Sequence, residues 1–232
     1  MSDAPPRDDL APALLLSFTG GYVDTFGFVT LFGLFTAHVT GNFVLIGAAL
    51  AGHGHGGIVG KLLALPAFVL AVAATRAWQH ARERRGRDSA VALLAIQSAG
   101  LLAFMAAGQA AGPVADPDAL ATIAVGLVGV ATMAVQNAAA RSIFVKLSPS
   151  TVMTGNVTQV TMDLVDLALG DALPEVARLR VAKLWPPILA FAAGATAAGL
   201  LAGRVGFFAL LVPLFALLAL AMRLRAAPSP SA

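Results

Sequence analysis

Asp24 lies in Gly20-Gly21-Tyr22-Val23-Asp24-Thr25-Phe26-Gly27, inside an otherwise apolar run. A carboxylate costs so much in such a run that it marks a functional candidate. It could hold a proton, pair with Arg141, or bind a coupling cation. The plainer alternative is a structural polar link between helices. His38, a side chain that titrates near neutrality, stands directly before Val39-Thr40-Gly41-Asn42. Its plainer role is that of an interfacial residue. The T-G-N pattern returns in Met153-Thr154-Gly155-Asn156, an offset of 114 residues in a chain of 232. Thr is a fair N-cap, Gly lets backbones approach closely, and Asn carries donors and acceptors. A helix beginning inside a bilayer leaves backbone N–H groups that lipid cannot satisfy, and its dipole favours an anion. Against that, Thr-Gly could simply cap a helix and allow tight packing. Gln136-Asn137 falls one residue out of register with Asp24 at the same offset. The expected site therefore comprises Asp24, His38, Thr40, Gly41, Asn42, Gln136, Asn137, Arg141, Thr154, Gly155 and Asn156, ionisable on one side and amide on the other.

The elements that must carry these residues are apolar helices. The chain is 58% hydrophobic and 12% charged, with a mean hydropathy of +0.83. Soluble domains carry about 25% charged residues. Apolar runs at about 10–35, 57–78, 89–112, 119–140, 184–203 and 205–222 are long enough to span a bilayer. Between them, 40–52 would reach only about 20 Å as a helix, and 152–169 is too polar to face lipid.

Charge placement chooses the topology. If the T-G-N segments cross, the fifteen Lys and Arg residues divide almost evenly between the two sides. If each enters and returns on one side, thirteen share a face: Arg7, Arg76, Arg82, Arg84, Arg85, Arg87, Arg141, Lys146, Arg178, Arg180, Lys183, Arg223 and Arg225. Only Lys61 and Arg204 then lie opposite. The positive-inside rule selects this six-pass arrangement with both termini cytoplasmic. The expected fold is an all-α membrane protein: six transmembrane helices plus two short re-entrant helices, arranged as a 3+3 inverted repeat. The first repeat would occupy 1–115 and the second 116–225, with a disordered tail at 226–232. A weaker echo, Lys61-Leu62 with Pro66 against Lys183-Leu184 with Pro187, agrees.

Other residues carry less. Asp163 and Asp166 read as solvated acids near the cytoplasmic interface. His53 and His55 form a weak metal set in a glycine loop. The Arg76–Asp88 stretch fixes orientation and touches anionic lipid. Gly199-x-x-x-Gly203 fits close helix packing. Asn156-Val157-Thr158 matches a glycosylation pattern that its placement argues against. Residues 1–9 lack the basic character of a cleavable signal. With no cysteine, thiol chemistry is excluded. There is no G-x-x-x-x-G-K-[ST], H-E-x-x-H or G-x-S-x-G, so neither an enzyme nor a cofactor is expected. The basic residues sit at the ends of apolar runs, which argues against nucleic acid.

Gly20-Gly21-Tyr22-Val23-Asp24 followed by His38-Val39-Thr40-Gly41-Asn42 resembles the YoaK family of bacterial membrane proteins of unknown function. The second T-G-N and the length extend the resemblance over nearly the whole chain. It implies a bacterial inner-membrane location and supplies no substrate or catalytic residue. From the repeat, the expected function is secondary transport of a small solute, with an anionic group favoured. A non-transporting scaffold or a lipid- or partner-binding protein is the alternative. The expected partners are the lipid bilayer and that solute, and a homo-oligomer is compatible with the sequence.

Overall fold

The computed structural model describes residues 10–54, 56–170 and 173–226. All regular structure among them is helical: α1 Leu10–Thr30, α2 Gly41–Leu50, α3 Ile58–Glu83, α4 Ala90–Ala110, α5 Leu120–Ser142, α6 Met153–Leu169, α7 Pro174–Val205, a 3-10 turn Gly206–Leu210, and α8 Leu211–Ala226. Residues 1–9, His55, 171–172 and 227–232 lie outside the description, and with them the N-terminal segment read as lacking a cleavable signal and most of the tail expected from sequence. Ala226 itself ends α8 rather than beginning a tail.

Four helical stretches are long and apolar enough to cross a membrane: Ile58–Glu83, Ala90–Ala110, Leu120–Ser142 and the continuous Pro174–Ala226. The last covers two of the expected runs. At 53 residues a straight helix would reach about 80 Å, far beyond one bilayer. It breaks at Gly206, whose φ of 55° lies in the left-handed region. α1 is not among the four stretches. Ser17, Thr19, Gly20, Gly21, Tyr22 and Asp24 dilute its apolar character, and all are buried. α1 is the most enclosed helix, and an enclosed helix need not present an apolar face to lipid.

Packing places α1 along α7 and α5 along α3. α4 lies on α5 and α8 on α1, while α2 covers α3 and α6 covers α7. α4 also meets α8, and α1 meets α5. The α1–α7 crossing is backbone against backbone. A Cβ added to Gly21 would overlap the Phe191 carbonyl, and one added to Gly194 would overlap the Phe18 carbonyl. Small residues permit this approach where no hydrophobic force drives helices together in lipid. Gly199 and Gly203, expected to do this work, have open space beside them. The packing glycine of α7 lies one turn and more earlier, where α1 crosses.

Phe26 of α1, Phe104 of α4 and Phe207 of the 3-10 turn meet edge to face, with centroids 5.3–5.9 Å apart. The Tyr22 hydroxyl donates to the Ala209 carbonyl at 2.8 Å, occupying a backbone acceptor where the helix breaks. Around this polar-laced interior the outside is apolar: Leu70 on α3, Leu189 and Leu200 on α7 and Phe215 on α8 are all exposed. Water would penalise so much apolar surface, and a bilayer covers it.

Candidate functional site

After α1 the chain turns back sharply. Phe32 takes a φ of 53° and Gly33 one of 81°, so residues 34–38 return along α1. Asp24 receives them. Its Oδ1 accepts the backbone N–H of Thr36 at 2.8 Å and of Ala37 at 2.7 Å, with His38 N at 3.4 Å. Its Oδ2 lies 2.6 Å from His38 Nδ1. Asp24 is 4% exposed, whereas the His38 side chain retains 33% exposure. The imidazole stands edge to face with Phe191 and Phe35. A buried carboxylate thus connects to a partly open imidazole through one short bond.

The second half carries amides at the corresponding place. Gln136 Nε2 donates to the Leu16 carbonyl at 2.8 Å and to Ser150 Oγ at 3.1 Å. Its Oε1 accepts from Gln97 Nε2 at 2.7 Å. Thr151 Oγ1 donates to Asn137 Oδ1 at 2.8 Å. Both loops preceding the T-G-N helices are therefore gripped by a side chain of the long helix before them. Gln97 escaped the sequence reading, although a lone amide within an apolar run is the available signal.

The T-G-N asparagines grip the same loops from the other end. Asn42 Oδ1 accepts Phe35 N–H at 2.9 Å and its Nδ2 donates to the Phe35 carbonyl at 3.0 Å. Asn156 Nδ2 donates to Ser148 Oγ at 2.8 Å and to the Pro149 carbonyl at 3.2 Å. Phe35 and Pro149 are themselves 114 residues apart, the spacing of the two T-G-N motifs. Thr40, Thr154 and Gly155 are exposed and Gly41 half-buried. Neither threonine caps its helix. α2 has no side-chain cap at Thr40, and α6 begins at Met153, which puts Thr154 inside it. The opening amides of α2 are not bare either: Gly41, Asn42 and Phe43 N–H donate to His38, Val39 and Thr40 carbonyls. At α2 there is thus no free helix end to draw an anion. α2 and α6 pack on α3 and α7 rather than on one another.

The family model described as "Protein of unknown function (DUF1275)" matches residues 12–223. The chain belongs to the DUF1275 family. Neither a curated protein nor a solved structure gives a match. The YoaK-type resemblance is consistent with the family match.

In this DUF1275 protein Arg141 does not meet Asp24. It sits exposed in the last turn of α5, in a cleft with Arg76 and Glu83 of α3, while His38 occupies the carboxylate. Asp163 is not a solvated acid. It is fully buried, and Arg180 reaches it from α7 with Nη2 to Oδ1 at 2.5 Å and Nε to Oδ2 at 3.1 Å. The guanidinium bond holds this carboxyl below the usual carboxylate range, joined by a bond from Gln159. α7 starts at Pro174, well before its apolar run, and that extension carries Arg180 over α6. Lys61 is also buried, its Nζ donating to the carbonyls of Phe32 at 2.8 Å and Gly56 at 2.6 Å. It closes the turn that sends residues 34–38 back toward Asp24. Of the histidine pair, His53 lines a small cleft with Lys61 and Phe32, and His55 lies outside the described residues.

Asn42→Ala and Asn156→Ala test the loop grips. Each removes bonds to a buried loop and strands polar groups, so each is expected to cost about 1–3 kcal/mol. Thr40→Ala and Thr154→Ala, exposed and without a capping bond, are expected to change stability by less than about 0.5 kcal/mol. Thermal unfolding of the four detergent-purified variants measures the contrast. Equal losses from asparagines and threonines would contradict it.

Proposed function

We propose that this membrane protein is a secondary carrier of a small solute in a bacterial inner membrane. It would cross six times with both termini cytoplasmic, and α2 and α6 would enter from opposite faces without crossing. One observation carries most of the weight. Exchange α1–α4 for α5–α8, and the set of helix packings maps onto itself: α1 on α7 becomes α5 on α3, α4 on α5 becomes α8 on α1, and α2 on α3 becomes α6 on α7. With three crossings per half, such exchange symmetry corresponds to an inverted repeat, the usual framework of alternating access.

Asp24 and His38 break that symmetry chemically. They give one half a titratable pair where the other half has Gln136 and Asn137. We assign them the coupling of solute movement to protons, with no enzymatic step. The bonded amides at the start of α2 remove the reason to require an anionic solute, so none is required here.

Two experiments test the proposal. The chain has no native cysteine, so His53→Cys and Asp116→Cys should react with an impermeant maleimide from the outer face and Arg85→Cys only after the membrane is opened. Reaction of His53→Cys only from inside would remove the inverted repeat. In proteoliposomes with an imposed proton gradient, wild type should accumulate at least one of a panel of small polar solutes. Asp24→Asn should lower that accumulation at least tenfold while still exchanging the solute. Undiminished gradient-driven accumulation by Asp24→Asn would overturn the assigned role, and no movement of any panel solute by wild type would count against carriage.

A further inference from the structure

Between α3 and α5 lies a cleft of about 370 Å³ lined by Arg76, Gln79 and Glu83 on one side and Arg141 and Ser142 on the other. It has no part in the Asp24–His38 arrangement. Arg76 donates to Glu83 at 2.7 Å, while Arg141 has no ion pair among the described residues. Two guanidiniums and one carboxylate leave a single net positive charge in the cleft. Gln79 is fully buried. Its Nε2 donates to Ser142 Oγ at 2.7 Å, and that hydroxyl donates onward to the Ala138 carbonyl at 2.8 Å. The direction of this chain fixes the amide: the hydroxyl proton is spent, so the nitrogen must face Ser142. Gln79 Oε1 is then left buried with no donor. A buried acceptor without a partner is costly and asks for an N–H or O–H from outside.

The surroundings fit the boundary of a membrane. Trp78, next in sequence to Gln79, is half-buried against the Leu93, Val135 and Ala139 cluster, and the Arg82 guanidinium lies 5.0 Å from its ring centroid. Such residues gather where hydrocarbon gives way to head groups. Towards the hydrocarbon side α3 exposes Val69 and Leu70, with Val72 on the cleft wall. Arg76, Arg141, the unpaired Gln79 Oε1 and an apolar track thus meet in one place.

We propose that this cleft binds the head group of a phospholipid whose phosphodiester is monoanionic and whose alcohol carries an O–H or N–H donor. The phosphate sits between Arg76 and Arg141, matching the single net positive charge, and guanidiniums suit its oxygens. The head-group donor reaches Gln79 Oε1, and an acyl chain follows Val72 and Val69. A soluble phosphate ester shares the polar chemistry and lacks the chain. The site concerns lipid binding alone and stands or falls independently of solute carriage.

Native mass spectrometry of detergent-purified protein, titrated separately with phosphatidylglycerol, phosphatidylcholine and glycerol 3-phosphate, tests this. Phosphatidylglycerol should be retained at least tenfold more tightly than phosphatidylcholine, whose head group has no donor, and glycerol 3-phosphate should be the weakest. Arg141→Gln, an exposed substitution, should weaken phosphatidylglycerol about tenfold. Gln79→Met should narrow its advantage over phosphatidylcholine. Equal retention of the two lipids by wild type, or unchanged retention by Arg141→Gln, would overturn the site. Glycerol 3-phosphate binding as tightly as the lipid would assign the cleft to a soluble ester instead.

Discussion

Gly194→Leu is expected to yield no monodisperse protein, and Gly194→Ala a protein at least about 3 kcal/mol less stable than wild type. Gly194 stands under the Phe18 carbonyl and Tyr22 N of α1, and Gly21 under the Phe191 carbonyl of α7. The contact is reciprocal, and its atoms are backbone on both sides. A side chain could rotate away from an added Cβ, but a helix carbonyl cannot. α1 and α7 would have to separate, carrying Tyr22 away from Ala209 and His38 away from Phe191. Overpacking a core costs about 1–3 kcal/mol when side chains absorb it, and two rigid helices place this site at or above the upper end. A loss of 3 kcal/mol lowers the melting temperature of a chain this size by roughly 6–12 °C. Size-exclusion profiles and thermal unfolding in detergent report both effects. Gly199→Ala and Gly203→Ala are the controls, with open space at each, and should leave the profile unchanged. A Gly194→Ala protein as stable as these controls would show that α1 and α7 do not cross so closely.

That comparison also marks the boundary of what residue spacing can convey. The eight helical segments α1–α8 were legible, because length and hydropathy are local properties. The pairing of residues across the fold was less so. Asp24 was identifiable from its cost in an apolar run, yet its partner is His38 rather than Arg141. The fold-back depends on a left-handed Phe32 and on Lys61 binding its carbonyl, and neither phenylalanine in that conformation nor a lysine on carbonyls has a sequence signature. Asp163 was placed in solvent because Arg180 precedes the apolar run of its helix. Hydropathy ends that run near residue 184, while backbone hydrogen bonding continues back to Pro174. Gly199 and Gly203 had the right spacing and the wrong face. A motif in one helix cannot say where its neighbour crosses.

Asp24→Ala is expected to destabilise the protein severely, while Asp24→Asn folds. The carboxylate satisfies Thr36 and Ala37 N–H at 2.8 and 2.7 Å and meets His38 Nδ1 at 2.6 Å. Alanine leaves both amides buried without acceptors, at about 1–3 kcal/mol each, and frees residues 34–38 to leave α1. Asparagine preserves shape. Its Oδ1 can still accept both amides, and its Nδ2 can donate to His38 Nδ1 in the neutral tautomer that protonates Nε2. Asn therefore keeps the loop and removes the titratable carboxylate, which makes it the informative substitution for proton coupling and alanine the informative one for the loop. His38→Ala takes from Asp24 Oδ2 its only partner, but the one-third exposure of the His38 side chain lets water replace it, so its cost should stay well below that of Asp24→Ala. The expected order of stability is wild type, then Asp24→Asn and His38→Ala close together, then Asp24→Ala lower by about 3 kcal/mol or more. Unfolding in detergent, followed by tryptophan fluorescence and circular dichroism, measures the order. Should Asp24→Ala unfold alongside Asp24→Asn, the carboxylate is not holding the 36–38 backbone, and the connection from buried Asp24 to His38 loses its structural basis.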